Sequence, residues 1–274
     1  MAESRRRLAF GSVAELYDRA RPSYPPELVD DVLAFAGVAA GDPALEVGAG
    51  TGKATVLFAS RGLRIVALEP SAEMASVARS NLAGYENVSI EQVGFEGWRP
   101  QATFKLLLSA QAWHWVSRDV RYTRARAILA DGGALAVFWN RPRWDANPLR
   151  AELAETYRRS APALGADTVG PGPMDPGARP AAWWEDWSRD LQGAPGFEPP
   201  EHRSYAWSQQ YTSDEYVTLL QTHSDHIVLP DEQRHALFGA VARMIERHGG
   251  AFTLEYETAL WLARAAVGSG LPAG

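Results

Sequence analysis

The chain has 274 residues, 27 Lys plus Arg against 33 Asp plus Glu, and a net charge of −6. That length favours one domain of ordinary size, or a core domain with an added cap. The acidic balance argues against broad binding to nucleic acid or anionic membrane, which needs a cationic face, and the absence of cysteine removes disulfides, thiolate nucleophiles and sulfur-ligated zinc together.

In chain order, Arg5, Arg6 and Arg7 ahead of Leu8–Ala14 imitate a secretory signal faintly, since Glu15, Tyr17 and Asp18 follow at once. Pro26–Ala36 reads as an amphipathic helix stopped by Gly37. PALEV (43–47) reads as a strand, with a helix over Thr51–Ser60 that stops near Gly62. RIVALE (64–69) is a second strand, and Ser71 is placed to cap a helix over Ser71–Asn81. VSIEQV (88–93) and FKLLLS (104–109) are the third and fourth strands. Arg118–Ala130 reads as a helix, Asp131-Gly132-Gly133 as a turn, and ALAVFW (134–139) as a fifth strand.

The second half differs. Two Pro/Gly-rich stretches within 160–200 flank the tryptophan-rich AAWWEDWSRDL. Helices over Ser213–Thr222 and Asp231–Arg247 then precede a final strand, TLEYETALWL (253–262). No apolar run approaches the roughly 18 residues of a membrane helix, because the candidates 104–116 and 258–267 are broken by Lys105 and Arg264. A cytoplasmic protein is expected.

Alternating strands and helices, with near-continuous Val, Ile and Leu in the strands, imply a parallel sheet covered on both faces. Such a doubly wound sheet opens its ligand crevice at the carboxyl ends of the strands. The expected fold is therefore α/β, a doubly wound, mostly parallel seven-stranded sheet with a helical cap. The expected divisions are a core over 1–141 with an N-terminal lid over 1–37, a cap with part of the C-terminal sheet over 142–250, a closing strand over 251–267 and a flexible tail over 268–274.

LEVGAGTGKAT (45–55) falls where the first strand turns into the first helix. A phosphate-binding P-loop is rejected there: Val47 holds the first glycine position and Ala54 the hydroxyl position. A dinucleotide fingerprint survives in weakened form. Gly48 and Gly50 match it and Glu69 stands at the ribose-binding distance, but the third glycine, Gly52, comes one residue early.

The third reading is an acid followed by spaced glycines, Glu46-Val47-Gly48-Ala49-Gly50-Thr51-Gly52. This resembles the first motif of the class I S-adenosylmethionine-dependent methyltransferases, whose fold is Rossmann-like. The resemblance implies S-adenosylmethionine as cofactor, with S-adenosylhomocysteine as product. It also implies that Glu69, followed by Pro70 and Met74, accepts both ribose hydroxyls. Glu46 would act near the cofactor's amino end. Gly94, Phe95 and Glu96 would lie against the adenine.

FGSVAELYDRARPSYP (10–25) and SAQAWHWV (109–116) are similar to segments of small-molecule enzymes like trans-aconitate methyltransferase. That similarity implies that Tyr17 and Arg21 fold over the cofactor, that Ser109 and Gln111 help to hold it, and that oxygen is the methyl acceptor. The resemblance covers about residues 8–140.

His114 is the candidate catalytic residue, to polarise or deprotonate the acceptor; the alternative is packing between Trp113 and Trp115. Arg141 and Arg143 are candidates for an acidic substrate or for solvated loop charges. Trp183, Trp184 and Trp187 line a pocket or form the lid's own core. Arg118, Arg121 and Arg124 read as a solvated helix face. His223 and His226 have helical spacing, but no further acid and histidine follow in a metal pattern, so no metal is expected. A small-molecule substrate is expected, without nucleic acid or membrane. Two other readings stay open, an NAD(P)-dependent oxidoreductase and a catalytically silent S-adenosylmethionine-binding or regulatory protein.

Overall fold

The structure is a computed structural model and describes residues 13–164 and 182–268. The arginine run at Arg5–Arg7, the Pro/Gly-rich stretch 165–181, the side chains of Trp183 and Trp184 and most of the expected tail lie outside the described residues.

Helices α1 (Ala14–Ala20) and α2 (Pro26–Ala36) come first, α2 ending at Gly37 in the left-handed region at φ +63°. Then follow β1 (Pro43–Val47), α3 (Lys53–Ala59), β2 (Arg64–Leu68), α4 (Ala72–Asn81), β3 (Val88–Glu91) and β4 (Phe104–Ala110). A 3₁₀ turn at Trp113–Trp115 leads to α5 (Arg121–Ile128) and β5 (Leu129–Pro142). The second half holds α6 (Arg150–Ser160), α7 (Ala182–Gln192), β6 (Glu201–Thr212), α8 (Ser213–Leu220), α9 (Ser224–Ile227), α10 (Asp231–Arg247) and β7 (Ala251–Arg264).

The seven strands form one sheet in the order β3-β2-β1-β4-β5-β7-β6. Pairings from β3 through β5 are parallel, and an antiparallel bridge joins Phe197 to Ala265. β1 lies between β2 and β4, with Glu46 in register with Ala67 on one side and Leu108 on the other. The strand order reverses there, so the crevice opens beyond the carboxyl ends of β1 and β4. No described helix is long and apolar enough to cross a membrane.

The chain divides into two compact units, with the divisions falling between α1 and α2 and inside β5, α7, β6 and β7. One holds described residues 23–139, 184–205 and 259–268. Its core gathers Leu28 and Val32 from α2, Phe58 from α3, Ala44, Ile65, Ala67, Leu106, Leu108 and Phe138 from the strands, and Leu260 and Leu262 from β7. Ser71 caps α4 as expected, its hydroxyl accepting from the Met74 N–H at 3.3 Å. The other unit holds 13–22, 140–164, 182–183 and 206–258. Its core is aromatic, with Trp144, Tyr157, Tyr211, Tyr216 and Phe252 packed with Leu237, Val241 and Ile245 of α10.

Four elements differ from the sequence reading. α5 begins at Arg121 rather than Arg118, and Asp131-Gly132-Gly133 lies inside β5 instead of forming a separate turn. Gly132 at φ +73° and a register shift between Phe104 and Leu106 let the strand absorb the glycines as an irregularity. β6 is the seventh strand that was expected within 142–250 but not located, and α6 was not anticipated. β6 alternates exposed and partly covered residues, as a strand at the end of a sheet does, and so has no apolar run. α6 is largely polar, with a narrow buried stripe of Leu153, Ala154 and Tyr157.

Candidate functional site

The bend after β1 is built by three glycines, each in the left-handed region that L side chains rarely adopt: Gly48 at φ +72°, Gly50 at +59° and Gly52 at +86°. Their reasons differ. A Cβ on Gly48 would stand 2.4 Å from the Ala112 Cβ, and one on Gly52 would stand 2.9 Å from Leu82 Cδ1. Those two are packing glycines. A Cβ on Gly50 meets nothing within 4 Å, so open space lies there.

The loop's amides are engaged internally. Gly48 and Ala49 N–H donate to the Leu68 carbonyl at 2.9 and 3.0 Å, and Gly52 N–H donates to the Ala49 carbonyl at 2.9 Å. Gly50 N–H donates to Glu69 Oε2 at 2.9 Å, while Ser71 N–H donates to Glu69 Oε1 at 2.8 Å. Glu69 is thus fixed through both oxygens at the end of β2. A carboxylate offers about four acceptor sites, so two backbone bonds orient it without exhausting it.

Glu46 is the reverse case. It is fully buried, and neither of its carboxylate oxygens has a hydrogen-bond partner. Burial pushes its carboxyl up to about 8; the nearby Thr55 hydroxyl opposes this without reaching hydrogen-bond geometry, and the Glu69 charge adds to it. The Thr51 and Thr55 hydroxyls are also buried without partners. Orphaned polar atoms of this kind cost about 1–3 kcal/mol each, and here four fall within ten residues of the glycine bend.

Beyond β4, Ser109 Oγ donates to the Val47 carbonyl at 2.8 Å, tying β4 to the start of the bend. Gln111, at φ +58°, is the one non-glycine among the described residues in the left-handed region. Such strain persists where surrounding structure enforces it, often at ligand sites. Gln111 N–H donates to the Phe138 carbonyl at 2.9 Å. Met74 and Phe95 are buried, Phe95 with its ring 5.8 Å from Trp113 and 5.4 Å from the Arg124 guanidinium. Glu96 Oε1 accepts from the Ser117 N–H at 3.2 Å, and Pro70 follows Glu69 at the end of β2, half-buried.

His114 packs differently from the expected arrangement. Its ring lies 4.6 Å from that of Trp115, and Trp139 Nε1–H donates to its Nδ1 at 3.4 Å. Trp113 turns instead into the core against Phe95 and Tyr122. The neutral His114 therefore carries its proton on Nε2 when this bond is made.

Several other expectations change. The arginine stripe is not a solvated face. Arg121 is buried and ion-pairs with Asp190, whose Oδ2 also accepts from the Tyr122 hydroxyl at 2.8 Å. Arg124 donates to the Trp98 carbonyl at 2.6 Å, while Arg118 lies 3.4 Å from Asp190 and is exposed. Sequence reasoning could not find Asp190, which lies 69 residues from its partner. Trp187 is buried against Trp139, ring centroids 4.7 Å apart, in the same unit as β1 to β4. Arg143 makes a bidentate pair with Asp145 at 3.0 and 2.9 Å and reaches Glu257 at 3.3 Å, and Arg141 lies 3.9 Å from Glu257. Both are neutralised by acids of the chain itself.

Tyr17 and Arg21 fall in the second unit. The Arg21 guanidinium lies 5.0 Å from the centroid of the Tyr17 ring and donates to the Thr222 hydroxyl and carbonyl at 2.8 and 2.9 Å. That unit also holds His223, Asp225 and His226, all buried; Asp225 is the acid that the sequence reading passed over.

A parallel sheet reversing at β1 and β4, a glycine bend, and an oriented acid at the end of β2 define a Rossmann-like α/β domain. Residues 44–133 match the family described as a methyltransferase domain. An uncharacterized methyltransferase of Mycobacterium tuberculosis is 39% identical over 133 residues, covering 48% of this chain and 52% of that protein. The chain thus spans about half the length of the curated relatives it matches first. An uncharacterized methyltransferase-like protein of Schizosaccharomyces pombe is 27% identical over 240 residues, 84% of each. Among solved structures, one from Anaeromyxobacter dehalogenans aligns with a TM-score of 0.58 at 19% identity, covering 90% of this chain and 98% of that one. At that identity the likeness speaks to the fold alone.

Proposed function

We propose that the chain is an S-adenosylmethionine-dependent methyltransferase acting on a small organic molecule, with oxygen as acceptor. The observation that carries this reading is Glu46, a buried carboxylate with two unpartnered oxygens behind the glycine bend. A cationic ligand group is the partner such an acid lacks, and the amino group of a methionine moiety is one. Glu69 would hold the ribose hydroxyls, and the open space at Gly50 admits a ligand close to the backbone. Bound there, S-adenosylmethionine supplies a methyl group already activated by its sulfonium.

The chain's own contribution is then positioning and exclusion of water, since in-line transfer depends on holding acceptor and donor collinear. When the acceptor is a hydroxyl, His114 accepts its proton at Nδ1 only once the ring releases the Trp139 N–H that now occupies that nitrogen; a carboxylate needs no such base. Oxygen as acceptor, and an enzyme like trans-aconitate methyltransferase, are supported by the 10–25 and 109–116 segments. A dinucleotide is less well supported: four loop amides are already engaged, and the Glu69 carboxylate would oppose a pyrophosphate.

Calorimetric titration with S-adenosylhomocysteine tests the reading, followed by labelled-methyl transfer into extracts of small metabolites. Saturable binding with methylated product supports it. Stabilisation by NAD(H) or NADP(H) in place of S-adenosylhomocysteine overturns it in favour of an oxidoreductase. Binding without any methylated product overturns it in favour of a silent binding protein.

A further inference from the structure

We propose that His223, Asp225 and His226 form a binding site for a divalent transition metal, zinc by ligand type. His223 precedes α9, a single helical turn, and Asp225 and His226 lie within it; all are buried, 9%, 6% and 0% exposed in that order. One ligand atom from each lies within 4.8 Å of the others. Two imidazoles and one carboxylate are the borderline donor set that zinc takes in sites with a further open position.

Two independent features point to a missing partner. His223 Nε2 and Asp225 Oδ2 are both buried and make no hydrogen bond. A packed interior rarely leaves two such atoms unsatisfied, and one cation would satisfy both.

His226 completes the set. Its Nδ1 lies 2.8 Å from Asp225 Oδ1 and its Nε2 lies 2.7 Å from the Tyr157 hydroxyl. Ligation through Nδ1 requires the proton on Nε2, where the Tyr157 oxygen accepts it. A histidine ligand oriented by an outer partner through its second nitrogen is the usual arrangement in metal sites. A cation held by His226 Nδ1 would displace its contact with Asp225 Oδ1, the ring proton passing to Nε2. The guanidinium of Arg21 acts on His223 electrostatically and weakens cation binding without removing a ligand. The proposal does not rest on methyl transfer.

The test uses tag-free full-length protein stripped with a chelator. Zinc chloride alone is titrated by calorimetry, bound metal is counted by mass spectrometry after desalting, and cobalt(II) uptake is followed by visible absorption. The expected result is one equivalent of zinc and a cobalt spectrum of nitrogen-ligated, low-coordinate type. His223→Gln and Asp225→Asn should each weaken binding at least about a hundredfold, and Tyr157→Phe about tenfold. Absence of saturable uptake by the folded wild-type protein overturns the proposal, as does uptake unchanged in both ligand variants. If those variants fail to fold, the wild-type cobalt spectrum decides: imidazole-ligated bands support the site, and a spectrum of aqueous cobalt overturns it.

Discussion

Substituting Glu46 by Gln removes one titrating proton from a site where the chain supplies no partner. In the folded protein the carboxyl keeps its proton until about pH 8, against an ordinary value of 4.5. The unfolded chain therefore loses this proton at lower pH than the folded one. Stability from this group is fully present below the unfolded value and is lost as pH rises through the folded one. Each unit of pKa is worth about 1.4 kcal/mol, so the wild type should lose roughly 4 kcal/mol between pH 5 and 8 from this residue. Glu46→Gln keeps the shape, lacks the charge, and should show none of that slope. Urea unfolding of both proteins without ligand, across that pH range, measures the difference.

The same residue has a second signature. A ligand ammonium beside Glu46 stabilises the ionised form, so S-adenosylhomocysteine should expel close to one proton from the wild type near pH 7 and none from the variant. Calorimetry in buffers of different ionisation enthalpy counts that proton. Parallel pH–stability profiles for the two proteins, with no proton release on binding, would refute the reasoning about this carboxylate.

Gly48→Ala should cost at least about 2 kcal/mol, from a Cβ at 2.4 Å from Ala112 and from a φ of +72°; a thermal melt lowered by several degrees would show it. Gly50→Ala should cost only about 1 kcal/mol, because no atom lies within 4 Å, yet should weaken S-adenosylhomocysteine binding more than Gly48→Ala does per unit of lost stability. Asp190→Ala should destabilise by about 3–5 kcal/mol in urea unfolding, since it leaves the buried Arg121 guanidinium without its carboxylate. Adding Arg121→Met should recover most of that loss. His114→Ala should leave cofactor affinity within about twofold and slow transfer to hydroxyl acceptors by about a hundredfold or more; unchanged turnover would remove it from proton transfer.

The strands β1, β2, β4 and the middle of β5 were legible because each is a near-continuous apolar run, the pattern of a strand covered on both faces. The three glycines of the bend were legible too, although their separate reasons were not: the 2.4 Å approach of Ala112 to Gly48 joins residues 64 positions apart. β6 escaped because a strand at the sheet's end has no fully buried face to mark it in composition. The arginine stripe was misread for a related reason. Helical spacing shows that Arg118, Arg121 and Arg124 share a face, but whether water or Asp190 meets that face depends on a helix much later in the chain.

Local chemistry written along the chain thus determined the strand–helix alternation, the glycine bend and the acid after β2, since each is set by residues within a few positions of one another. Only the tertiary structure decided that Glu46 is buried without a partner, that Arg121 faces Asp190, and that Asp225 joins His223 and His226 beside Tyr157. Burial and partnership are properties of segments packed together from distant parts of the sequence, and no local pattern carries the desolvation that makes an acid, an arginine or an imidazole reactive.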